Sequence, residues 1–342
     1  MPSRRPLASL AAALSIAVAA GACTVGASSP PAASSTPVTP LTVGLGFIPS
    51  VQFAPFYLAQ QAGFYREAGL EVTFQNKIDP DLVTLVGQGA VDVGLADGTS
   101  VIPAVSQGIP IRYVASVYRA FPSIVFAKAS SGIEGPEDLA GRKLGIPGRF
   151  GSSWIMLQAL LQSADLTADD LEIHEYPDFG QGVAVQEDAV DAATGFVNNE
   201  PVQLELTGED AVVLRVDDVV PLPGPGLIAG TGTLETKRDA VQAFVAATLR
   251  AMGAIADDPS RGVDAAIAAV PDLAQNRATQ EAILDATIEA WRGDDEGDGA
   301  GAMGAIDTGA WEQSIAFMTE LGLVPNPVTV EQVVDTSLLP AG

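Results

Sequence analysis

One short stretch gathers four aromatic rings and a side-chain amide: Phe47, Gln52, Phe53, Phe56 and Tyr57. It lies where an apolar run, Leu41-Thr42-Val43-Gly44-Leu45, gives way to a helical pattern. Ring faces stack on flat solutes, and an amide supplies both a donor and an acceptor, so these residue types suit a planar heteroaromatic ligand. The same residues also suit an ordinary core. Asp97 and Thr99 follow a second apolar run, Val91 to Leu95, and precede a helical stretch. They read either as a helix cap or as a turn whose amides face a ligand. Arg149, Phe150 and Ser152 open the helical stretch after Leu144-Gly145-Ile146. There Gly151 permits close approach, and Arg149 with a helix N-terminus would receive an anion. Trp154 beside them fits a core. Asn198 and Glu200 follow Asp191 to Gly195 and precede Pro201. Amides and a carboxylate at a strand end can read ring nitrogens and exocyclic amines, and the same residues fit a cap with Pro in the first turn. Tyr118, with Arg119 and Phe121, leads into a further strand pattern and is the remaining cleft candidate.

No coherent nucleophile–base set emerges, which argues against the alternative of a cleft enzyme acting on a small heterocycle. His174 is the only histidine, in an alternating pattern that fits sheet or surface, and Cys23 is the only cysteine. No metal site and no cofactor are therefore expected. Phosphate-cradling and nucleophile-elbow signatures are missing from the contexts they need. The segment Gly293 to Gly299 is acidic, but it lacks the closing Glu and ligand spacing of a calcium loop and reads as an exposed loop. The formal net charge is -25, which argues against nucleic acid as a partner.

Cys23 carries a different chemistry. Arg4 and Arg5 precede a short apolar run, Leu7 to Ala22, that ends in small residues. This is the composition of a secretory signal peptide, and the run is too short to cross a bilayer comfortably. Ala20-Gly21-Ala22-Cys23 also resembles a bacterial lipobox, which implies acylation of the Cys23 thiol after removal of residues 1–22. Thr24 to Pro40 is rich in Pro, Ser, Ala and Thr, so residues 23–40 read as a flexible leash.

The remaining residues, about 300, are enough for two lobes. Strand and helix patterns alternate from Leu41 to about Val216, which predicts βαβ units on a largely parallel sheet. After Lys237 the pattern is mostly helical, over Asp239 to Ala256, Val263 to Ala269, Thr279 to Trp291 and Thr308 to Leu321.

The opening of the folded region carries a resemblance. Phe47-Ile48-Pro49-Ser50-Val51-Gln52-Phe53-Ala54-Pro55-Phe56-Tyr57 is followed by Gly63-Phe64-Tyr65-Arg66-Glu67-Ala68-Gly69-Leu70-Glu71-Val72. Further on stand Leu85 to Gly94, Leu139 to Ile146, Ala189 to Gly195 and Asn198-Asn199-Glu200-Pro201. Together they resemble solute-binding proteins of ABC importers that handle sulfonates, nitrate and thiamine precursors. The pairing of FIPSVQFAPFY with NNEP is most similar to members that carry thiamine-pyrimidine precursors or riboflavin. The resemblance implies an α/β, two-lobed periplasmic-binding-protein fold of type II, with two crossover strands and a ligand cleft between the lobes. It implies lobe one at residues 41–122 plus 226–342 and lobe two at 123–225. It also implies a ligand-contacting loop at Arg149 to Ser153, and as partners a small-molecule ligand, an ABC permease with its ATPase, and the membrane through the lipid anchor. The chain is expected to be a monomer on the extracytoplasmic face. Eukaryotic relatives that make the thiamine pyrimidine use a cysteine-rich iron motif, whose cysteines this chain lacks. Few cations stand in the candidate loops, so an uncharged planar nitrogen heterocycle ranks above a small organic anion as ligand.

Overall fold

In a computed structural model the described residues are 38–76, 81–292 and 303–340. Cys23, the signal and most of the leash, and the acidic segment 293–299 lie outside them. Four strands come first: β1 (Thr39–Gly44), β2 (Leu70–Gln75), β3 (Val93–Ala96) and β4 (Ile111–Ser116). Five follow in a second sheet: β5 (Ser123–Lys128), β6 (Lys143–Ile146), β7 (Glu172–Glu175), β8 (Ala192–Phe196) and β9 (Ala211–Arg215). The chain then returns as β10 (Gly226–Gly230) to the first sheet, whose order is β2-β1-β3-β10-β4; the second has the order β7-β6-β8-β5-β9. The fold is α/β and two-lobed, one sheet to each lobe, with crossovers between β4 and β5 and between β9 and β10.

Both sheets are mixed, which corrects the expectation of a largely parallel sheet. β1 pairs in parallel with β2 and β3, whereas β10 runs antiparallel to β3 and β4. In the second sheet β6 is parallel to β7 and β8, and β5 is antiparallel to β8 and β9. The reversed strands are the ones reached by crossing between sheets: β10 slots between β3 and β4, and β5 between β8 and β9. Where β10 enters, a Cβ at Gly226 would run into the Tyr113 ring, and one at Gly224 would meet the Tyr118 carbonyl. Glycine therefore lets the second crossover lie directly against the first.

The helices are α1 (Ala54–Gln61), α2 (Phe64–Glu67), α3 (Leu82–Gly87), α4 (Gly98–Ser106), α5 (Gly151–Ser163) and α6 (Gln181–Gln186). They continue with α7 (Glu200–Glu205), α8 (Thr231–Asp257), α9 (Pro259–Ala269), α10 (Arg277–Arg292), α11 (Thr308–Glu320) and α12 (Val330–Val333). α8 starts eight residues before the expected Asp239, and its backbone breaks from helical geometry at Lys237 (φ -131°). β1 likewise takes in Thr39 and Pro40, which the sequence assigned to the leash; they pair with Leu70 and Glu71 of β2. No helix among the described residues is long and apolar enough to cross a membrane.

Candidate ligand site

The turns that leave the parallel strands carry most of the candidates. Phe47 follows β1, Asp97 follows β3, Arg149 to Ser152 follow β6, and Asn198 follows β8. Ligands of open α/β sheets bind beyond such carboxyl ends. Here the corresponding edges of the two sheets face each other, and three contacts cross between them.

The first is aromatic. Phe47 meets Phe179 edge to face, with ring centroids 5.3 Å apart. Phe179 belongs to the turn after β7 and holds a left-handed backbone (φ 62°), an uncommon conformation for a bulky residue. The second is polar. Asp97 caps α4, accepting from the Ser100 N–H at 3.0 Å and from the Thr99 hydroxyl at 2.7 Å. The Ser152 hydroxyl, at the start of α5 on the other sheet, is a further hydrogen-bond partner of this carboxylate. Burial pushes the Asp97 carboxyl above its usual range, and these donors oppose that shift. The third contact is an amide. Asn198 is fully buried, and its Nδ2 donates to the Thr287 hydroxyl of α10 at 2.8 Å and to the Tyr118 hydroxyl at 3.4 Å. Burial drives the Tyr118 hydroxyl well above its ordinary pKa.

The remaining candidates divide. Phe56 is a core residue: its ring stacks on Phe244 at 6.4 Å and meets Phe74 edge-on at 6.0 Å. Phe53 and Tyr57 are buried in the same cluster, and burial pushes the Tyr57 hydroxyl up to about 12. Gln52 is half-buried in the 3-10 turn ahead of α1, where Ser50 provides the cap for its backbone N–H. Thr99 is buried and donates inward to Asp97. Arg149 stands 3.4 Å from Glu175 and lies over the Trp154 ring at 5.2 Å, while Phe150 is exposed. Glu200 turns back on its own loop: Oε2 accepts from the Phe196 N–H at 2.7 Å and Oε1 from Asn199 Nδ2 at 3.1 Å. Burial raises its pKa. His174 is paired with Glu172 on β7, as a sheet residue.

Two residues at the meeting edges, Phe179 and Thr287, were not among the candidates. The dipeptide Phe179-Gly180 between a strand and a helix marks a turn, but nothing in it reports that the ring points across the cleft. Thr287 lies in a helical stretch with no local cue. Among the described residues no group of three or more His, Cys, Asp or Glu could hold a metal ion.

An open cavity of about 470 Å³ lies nearby, lined by the crossovers and the start of α11, including Tyr113, Arg119, Asp217, Leu222 and Trp311. Of the residues considered for the cleft, Arg119 alone lines it. It sits behind the crossovers, where Pro223 packs on Gly98, next to the Asp97 cap.

A family model described as NMT1/THI5-like matches residues 50–262. The chain is 31% identical over 306 residues to riboflavin-binding protein RibY of Chloroflexus aurantiacus, covering 88% of this chain and 86% of that protein. It is 28% identical over 244 residues to a 4-amino-5-hydroxymethyl-2-methylpyrimidine phosphate synthase of Legionella pneumophila, covering 68% and 74%. Among solved structures, the periplasmic aliphatic sulphonate-binding protein SsuA of Escherichia coli matches with a TM-score of 0.67 and 18% identity, over 86% of this chain and 97% of that one. That likeness concerns the fold.

Proposed function

We propose that this chain, which belongs to the NMT1/THI5-like family, is the extracytoplasmic solute-binding component of an ABC importer. Its ligand is a planar nitrogen heterocycle of the flavin or aminopyrimidine type. The observation that carries the reading is the meeting of the two sheet edges, which brings Phe47 and Phe179 together beside the Asp97 and Asn198 contacts. A flat ring entering there would exchange the edge-to-face pair for stacking on one or both rings. The riboflavin named for RibY is such a ring. Arg149 does not favour an anion, because its guanidinium is already engaged by Glu175 and Trp154.

The lobes run over residues 39–122 plus 226–342 and over 123–225, and they close about the crossovers when ligand enters. The chain binds without turning over its ligand, acts as a monomer, and is held at the membrane through an acylated Cys23. A thermal-shift screen with riboflavin, the hydroxymethyl aminopyrimidine, taurine and nitrate tests the ligand class. Ligand at about a hundred times its Kd should add about 2.7 kcal/mol of stability. A shift with taurine or nitrate alone would overturn the heterocycle, and chemical conversion of a bound heterocycle would overturn the binding-protein reading.

A further inference from the structure

Five buried side-chain atoms among the described residues have no hydrogen-bond partner: Ser123 Oγ, Gln181 Oε1, Thr194 Oγ1, Asn198 Oδ1 and Trp291 Nε1. Such atoms are uncommon in folded proteins because an unmet buried polar group is costly. Four of the five lie along one edge of the second sheet, Ser123 and Thr194 on one face of it and Gln181 on the other. Thr194 is near the carboxyl end of β8, Asn198 is just beyond it, Ser123 starts the neighbouring β5 opposite Phe196, and Gln181 opens α6. Gln181 reaches that edge through Nε2, which donates to the Thr194 carbonyl at 3.3 Å. The fifth, Trp291, comes from the facing lobe. It lies one helical turn after Thr287 on α10, and Thr287 accepts from Asn198.

The chemistry of two of these atoms is fixed by their neighbours. Thr287 gives its single hydroxyl proton to the Ile283 carbonyl at 2.6 Å, so towards Asn198 it can only accept. The Asn198 amide must therefore point its Nδ2 at Thr287, which leaves Oδ1 as the free atom. A carbonyl cannot donate, so the Gln181 Nε2 must face Thr194 and its Oε1 is likewise the free one. The indole Nε1–H of Trp291 is a donor only.

We propose that Gln181 Oε1, Asn198 Oδ1 and Trp291 Nε1 read the polar edge of the ligand. The inference rests on the heterocycle reading above and adds which edge the site selects. Two obligate acceptors and one obligate donor require a ligand that supplies at least two N–H or O–H groups and one acceptor. An aminopyrimidine meets this with its amino group and a ring nitrogen; a flavin meets it with its imide N–H, side-chain hydroxyls and ring carbonyls. Nitrate and the sulfonate group itself offer acceptors alone, so both amide oxygens would face them unpaired; taurine adds only an ammonium two carbons away.

The test titrates wild-type protein and Trp291→Phe with riboflavin, the hydroxymethyl aminopyrimidine, taurine and nitrate, and records the ligand-free melting temperature of both. Phenylalanine keeps much of the ring packing and removes only one orphaned donor. The ring should bind roughly fivefold to tenfold more weakly to the variant, as a lost hydrogen bond implies. The ligand-free melting temperature should not fall in proportion. Unchanged affinity for the ring would overturn the assignment while leaving the heterocycle reading intact. If wild-type protein binds only taurine or nitrate, or none of the four, both readings fall. Should Trp291→Phe not fold, wild-type protein is titrated with lumiflavin, which has no side-chain hydroxyls, against its imide-methylated form, and with the aminopyrimidine against its dimethylamino form, the methylated rings lacking N–H. Equal binding of the methylated and parent rings would refute the assignment.

Discussion

Asp217→Asn should change how stability depends on pH. Asp217 lies in the second crossover, lines the cavity behind it, and is about a quarter exposed (27%). Burial pushes its carboxyl from 3.8 to about 6, against the opposing pull of Arg215, 3.3 Å away, and of the Phe121 backbone N–H in the first crossover. In the unfolded chain the group ionises near its ordinary value. Between about pH 4 and about pH 6 the folded protein therefore keeps a proton that the unfolded chain has released, and stability falls as pH rises through that window. A displacement of about two units is worth about 3 kcal/mol by the neutral range. Asparagine cannot ionise, and its amide oxygen can still accept from Phe121. Urea unfolding of both proteins across the window should find them nearly equal at its acid end. At about pH 7 Asp217→Asn should be more stable by up to about 3 kcal/mol, and by less if water enters the open cavity beside the group. Parallel stability curves for the two proteins would refute the argument, because they would mean that folding leaves Asp217 titrating as it does in the open chain.

Phe56→Ala should cost about 3–5 kcal/mol of stability, measured by denaturant unfolding, because its ring fills the core between Phe74 and Phe244. The folded variant should keep its affinity for the heterocycle, and a specific loss of affinity would return Phe56 to the site. Cys23→Ser should move the protein from the membrane fraction to the soluble one, and retention after a carbonate wash would exclude the lipid anchor.

The sequence showed the elements more clearly than their directions. Strand–helix alternation survives in the structure almost residue for residue, since periodicity records which face of each segment is buried. β5, Ser123 to Lys128, and β10 look like any other apolar strand, and nothing local states that they run against their neighbours. Their direction follows from the chain's two passages between sheets. The candidate site divides in the same way. That Asp97 and Asn198 stand where the two sheet edges meet was readable because each follows a strand end, which chain order reveals. Phe56 was not separable from a ligand contact, because stacking on Phe244 involves residues far apart in sequence and an aromatic ring serves a core and a cleft equally well. Gln181, Thr194 and Trp291 gave no signal at all. Their interest lies in hydrogen bonds they do not make, and that is a property of the folded surroundings: Ile283 takes the Thr287 proton, so the Asn198 oxygen two residues beyond β8 is left without a donor. Specificity written in unmet hydrogen bonds becomes visible only when every neighbour is in place, so residues that discriminate between rings can look in sequence like ordinary turn, strand and helix residues.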